Sequence, residues 1–103
     1  MRISSKEVYA MISSNKDICI VDVRDKYDYE IEHLPKSINI PIDILPFEAE
    51  EFIKNKSKYI ILYSYSNQEC ELAIDILTNN GYSNVFSMGP YTKLSFEAEK
   101  EES

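Results

Sequence analysis

The chain reads as an α/β domain: a central parallel sheet with helices on both faces, a three-layer α/β/α sandwich. Three observations predict this. Apolar runs rich in β-branched residues, Ile18-Cys19-Ile20-Val21 and Ile60-Ile61-Leu62-Tyr63, are continuous rather than alternating, as strands covered on both faces require. Segments of helical spacing lie between them. Strand-like and helix-like stretches alternate along the chain, the order that builds parallel sheets.

Taken in order, Ser4 and Glu7 have the spacing of a capping box, so a helix begins here with Val8, Met11 and Ile12 on one face. Polar residues 13–17 end it. The strand at 18–21 closes on Asp22-Val23-Arg24. Residues 25–32 suit a short helix carrying Tyr27 and Tyr29, and His33-Leu34-Pro35-Lys36 reads as a turn. A short strand at 37–40 stops at Pro41. Residues 42–55 are helical in pattern, with Leu45, Ala49 and Phe52 on one face and Pro46 suited to a first turn. The strand at 59–63 is the clearest in the chain. A loop at 64–68 leads into a helix from about 69 to 79, whose core face is Leu72, Ala73, Ile76 and Leu77. Gly81 suits a left-handed cap. Residues 84–87 form a last strand, and Gly89-Pro90 breaks the pattern. A final helix is expected over 91–101, with residues 97–103 a solvated, fraying acidic tail.

At 103 residues this is one domain, spanning 1–103. Its formal net charge of −7 opposes binding to nucleic acid and to anionic membranes. The two cysteines, Cys19 and Cys70, have no metal-type spacing, and the one histidine is far from both in sequence, so no metal or cofactor is implied. The first residues lack the apolar stretch of a signal peptide, and no apolar run is long enough to span a bilayer; a cytoplasmic protein is the expectation.

Four stretches resemble the single-domain rhodaneses: Ile20-Val21-Asp22-Val23-Arg24 with Tyr27-Asp28-Tyr29; His33-Leu34-Pro35 with Ser37-Ile38-Asn39-Ile40-Pro41; the strand, loop and helix from Ile60; and Gly81-Tyr82-Ser83-Asn84-Val85. The resemblance implies the rhodanese fold, with the functional loop at Ser64, Tyr65, Ser66, Asn67, Gln68 and Glu69. It departs from the family at that loop. The family carries cysteine, two variable residues, glycine, one variable residue, arginine and serine. Here Ser64 holds the cysteine position, Asn67 the glycine and Glu69 the arginine. The glycines that flank the His-Leu-Pro stretch in the family are Glu32 and Lys36.

Rhodanese chemistry carries sulfur as a cysteine persulfide, formed by a thiolate whose pKa the loop lowers. An alcohol is protonated near neutral pH, and its oxygen forms no persulfide. Glu69 adds negative charge where an anionic donor would sit. The expectation is a rhodanese-like domain without sulfurtransferase activity, acting as a binding or regulatory module toward a protein or small molecule. Two alternatives stand. Cys70, near a helix N-terminus, is the thiol a persulfide carrier would use, although packing beneath the loop is its ordinary role. Ser64 would serve a hydrolase only with a base, and His33 is the sole histidine. Asp22, Arg24 and His33 are read as structural: the first two tie loops together at a strand end, and the third organises a turn. Tyr65 is the loop aromatic suited to contact a partner.

Overall fold

The computed structural model describes residues 2–14 and 17–91. Four parallel strands form one sheet: β1 (Ile18–Asp22), β2 (Ser37–Asn39), β3 (Tyr59–Ser64) and β4 (Val85–Pro90), in spatial order β2-β1-β3-β4. The helices between and before them are α1 (Ser5–Ser13), α2 (Lys26–Ile31), α3 (Leu45–Phe52) and α4 (Asn67–Asn79). The expected α/β fold with a parallel sheet flanked by helices is what the chain adopts.

The alternation of side chains along a strand divides the core in two. Ile60 and Leu62 of β3 point to the face covered by α3 and α4, where they meet Val21, Leu45, Ala49, Ala73 and Leu77. Ile61 and Tyr63 point to the other face, with Val8 of α1, Ile20, Leu34 and Met88. Five of the six β3 residues are buried, which is why this run carries no polar alternation.

Local signals act as their chemistry requires. Ser4 and Glu7 close a reciprocal capping box on α1. Gly81 follows α4 with φ +94°, the left-handed position that glycine occupies without strain. The parallel register pairs Asp22 with Tyr63 and Val21 with Leu62, so β1 and β3 end together and both present their last residues at one edge of the sheet.

Several details differ from the sequence pattern. The helix expected over 42–55 is shorter, at Leu45–Phe52; Phe52 is 52% exposed, and Ile53 takes the core place instead. Helix α4 begins at Asn67, earlier than expected, because Ser66 caps it by accepting the Glu69 N–H at 3.1 Å. Cys70, Ala73 and Leu77, three and four residues apart, form the buried stripe, and Leu72, one residue off it, turns outward at 53% exposure. Strand β4 runs through Gly89-Pro90 instead of stopping there. Gly89 takes φ +87°, the register with β3 shifts between Leu62 and Ser64, and Pro90 sits on an edge strand where no ladder N–H is needed. The final helix and acidic tail expected beyond residue 91 lie outside the described residues. Among the described residues, no helix is long and apolar enough to cross a membrane.

Candidate functional site

The site lies where β1 and β3 end and α4 begins, the edge at which parallel α/β sheets bind ligands. Ser64 is the last residue of β3 and is 1% exposed. Its backbone carbonyl accepts the Tyr91 N–H at 2.6 Å, which holds the end of β4 against it. Its hydroxyl donates to Glu69 Oε1 at 2.7 Å. Tyr65 and Ser66 are then the whole connection between strand and helix. Of the residues read as a loop, Asn67, Gln68 and Glu69 form the first turn of α4.

Two consequences follow for chemistry. The Glu69 N–H, which an anion cradle would draw on, is taken by Ser66 within the helix. The Glu69 carboxylate stands over the strand end, near the positive end of the α4 dipole. As structure this is favourable. As an anion site it is occupied by the protein's own negative charge.

Cys70 sits one turn further on, 1% exposed and packed in the core beneath the loop. Its Sγ is the donor toward the Gly89 carbonyl at 3.7 Å. Burial pushes the thiol pKa up, against weaker opposing effects of Ser87, the Ser64 backbone and the charge of Arg2. A buried thiol held protonated is a poor nucleophile.

His33 does not reach Ser64. Its Nδ1 lies 2.7 Å from the Tyr29 carbonyl, and its ring stacks on Tyr29 with centroids 3.8 Å apart. Among the described residues, no hydrogen bond joins His33 to Ser64, so the serine lacks a histidine base.

Asp22 and Arg24 make the densest polar cluster. Both are nearly inaccessible, at 0% and 4%. Arg24 Nε and Nη2 donate to the two Asp22 carboxylate oxygens at 2.7–3.1 Å, and the Arg24 backbone N–H adds a fourth bond at 2.9 Å. Nη2 also reaches the Glu32 carbonyl at 2.6 Å, and Nη1 the Tyr65 hydroxyl at 3.1 Å. The guanidinium lies 4.2 Å from the Tyr91 ring centroid and 5.0 Å from that of Tyr65. Burial alone would lower the arginine pKa, but Asp22 outweighs it and the net shift is upward. Arg24 therefore stays charged and fills the space between the strand ends with its own aromatic cage.

Tyr65, expected at the mouth of the site, is 52% exposed, with its hydroxyl bound to Arg24. Two participants were not singled out from sequence. Tyr91 closes the cage and donates to Glu32 Oε1; burial, then that hydrogen bond, raises its phenol pKa. Arg2 reaches the first turn of α4 from the start of the chain and donates to Asn67 Oδ1 at 2.8 Å. Neither had a local signal, since both act across long sequence separations. The Ser66 cap did have one: Ser66 and Glu69 show the serine-to-glutamate spacing of a helix start.

A small parallel α/β domain whose central strand ends at Ser64, at the start of α4, is the class that fold and site define. The chain belongs to the rhodanese family: the rhodanese-like domain matches residues 4–89. A tRNA uridine(34) hydroxylase from Photorhabdus laumondii is 34% identical over 88 residues, covering 82% of this chain and 25% of that protein. The enzyme of the same name from Buchnera aphidicola is 33% identical over 90 residues, covering 84% and 28%. The chain thus spans about a quarter of the length of these relatives. Among solved structures, the human single-domain sulfurtransferase superposes with a TM-score of 0.78 at 16% identity, covering 93% of this chain and 95% of that one. A domain from an Anabaena protein superposes at 0.79 with 23% identity, covering 90% and 83%. These two likenesses are of fold.

Proposed function

We propose that this chain is a rhodanese-like module that has no sulfurtransferase activity and works by binding. The observation that carries the proposal is the Ser64 hydroxyl, at the family's nucleophile position, donating to the Glu69 carboxylate at 2.7 Å. A sulfur carrier needs a thiolate there and a positive surround for an anionic donor. This site offers an alcohol and a carboxylate. Cys70 does not stand in for the missing thiol, because it is buried and protonated. A hydrolytic role for Ser64 has no support, since its partner is an exposed carboxylate and His33 is engaged elsewhere.

The relatives' hydroxylation of tRNA is not carried over to this chain. The match covers a quarter of those proteins, and a net charge of −7 opposes a polyanion. The partner is a protein or small molecule of neutral or basic character, met in the cytoplasm without metal, nucleic acid or membrane. The half-exposed Tyr65, beside the Ser64 strand end, is the contact residue.

The test is sulfur transfer from thiosulfate to cyanide. The wild type is expected to show no rate above the protein-free reaction. Ser64→Cys combined with Glu69→Arg, which restores both the thiol and the cation, is expected to exceed Ser64→Cys alone. Turnover by the wild type that Cys70→Ser abolishes would overturn the proposal.

A further inference from the structure

At the opposite end of the sheet from Ser64, a cleft of about 410 Å³ opens where β1 and β2 begin and α3 ends. Its size is within the range of small-ligand sites. Ile38 and the half-buried Cys19 line it, and the exposed ring of Phe52 borders it. Three lysines, Lys36, Lys54 and Lys58, line the same cleft in a chain of net charge −7. Lys58 is ion-paired with Asp17. Lys36 and Lys54 have no ion pair among the described residues, so their charge faces the cleft unopposed by a paired carboxylate.

Lys36 has a second peculiarity. It is the one non-glycine among the described residues with positive φ, at +69°, a conformation that costs an L side chain energy and that glycine adopts freely. Glycine would serve the turn better. A strained lysine at the mouth of a cleft with two further lysines fits a role in ligand contact more readily than one in the fold.

We propose that this cleft binds a small amphipathic anion, with its acidic head at Lys36 and Lys54 and its apolar body along Ile38, Cys19 and Phe52. The ligand class follows from charge complementarity at the lysines and the apolar wall behind them. The site is independent of the Ser64 strand end and does not rest on its inactivity.

Cys19 is the reporter. With octanoate as the probe, alkylation of Cys19 by iodoacetamide, located by peptide mapping, is expected to slow as the site fills. Octylamine, with the same tail and the opposite charge, is expected to give no protection at equal concentration. Lys54→Gln and Lys36→Gly are each expected to raise the octanoate midpoint about two- to fivefold, the worth of one exposed charge contact. Lys36→Gly is expected to weaken binding while raising the melting temperature, which separates lost contact from lost fold. No protection by octanoate, equal protection by octylamine, or full binding in Lys36→Gly would each overturn the proposal. A lower melting temperature in Lys36→Gly would refute the strain on which it partly stands.

Discussion

Two polar clusters lie side by side where β1 and β3 end, and they carry opposite loads. Asp22 and Arg24 are a buried ion pair whose guanidinium donates to a carboxylate, a carbonyl and a hydroxyl and lies over the Tyr91 ring. Ser64 and Glu69 share a single hydrogen bond, and the carboxylate is exposed. Asp22 and Arg24 lie in a stretch that resembles the rhodaneses, whereas we propose that the Ser64–Glu69 pair has left the family's sulfur chemistry. The physical reason is cost. Removing one member of the ion pair strands a charge in the interior, whereas exchanging a thiol for a hydroxyl at the end of β3 leaves the strand pairing and the core untouched. The scaffold is fixed by what would be expensive to unpair; the chemistry is held by atoms that the fold does not need.

The sharpest way to break this contrast is at Arg24. Arg24→Leu leaves Asp22 buried and unpaired, at a cost of about 3–5 kcal/mol. For a domain whose total stability is of order 5–15 kcal/mol, that brings the folded state close to its limit. Urea denaturation measures the loss, and adding Asp22→Asn is expected to restore part of it, since the stranded charge is then gone. Cys70→Ser comes next. The shorter hydroxyl, buried at this position, sits farther from the Gly89 carbonyl to which the thiol donates, at a cost of about 1–3 kcal/mol read from the same denaturation midpoint. Ser64→Ala removes one bond to an exposed partner and is expected to cost less than about 1 kcal/mol. A loss at Ser64 as large as that at Arg24 would erase the contrast.

The smallest effect is with pH. Burial raises the thiol pKa of Cys70 and of Cys19, and burial likewise raises the phenol pKa of Tyr63 and Tyr91. In each case the folded state keeps a proton that the unfolded chain releases first, so stability falls as pH rises. The contribution is fully present below the unfolded thiol value of about 8.5, begins to fall above it, and falls again above about 10 as unfolded tyrosines ionise. Denaturation midpoints at neutral pH and at two alkaline values check the order. Cys70→Ala is expected to flatten the first decline.

Much of this was legible in the sequence because it is local. The continuous apolar runs gave β1 and β3, Ser4 and Glu7 gave the start of α1, and Gly81 gave the end of α4. The strand-end position of Ser64 also follows from the sequence order. What was not legible depends on distant partners. The Arg24 cage needs Glu32, Tyr65 and Tyr91, which only the tertiary fold gathers. Polar Asn67 and Gln68 concealed the true first turn of α4, although the Ser66 cap was there to be read. The path of β4 through Gly89-Pro90 depends on a register shift against β3 that no local pattern encodes. Leu72 and Phe52 face outward because the buried stripes run through Cys70, Ala73 and Leu77 and through Leu45, Ala49 and Ile53, and each of the two lies one residue, about 100°, away from its stripe.

The central claim, that this rhodanese-like domain carries no sulfur, is tested most directly by intact-mass spectrometry after incubation with thiosulfate, on the wild type and on Cys70→Ser. The account predicts an unchanged mass for both, since Ser64 forms no persulfide and Cys70 is buried and protonated. A gain of one sulfur on the wild type that disappears in Cys70→Ser would contradict it and make Cys70 the carrier.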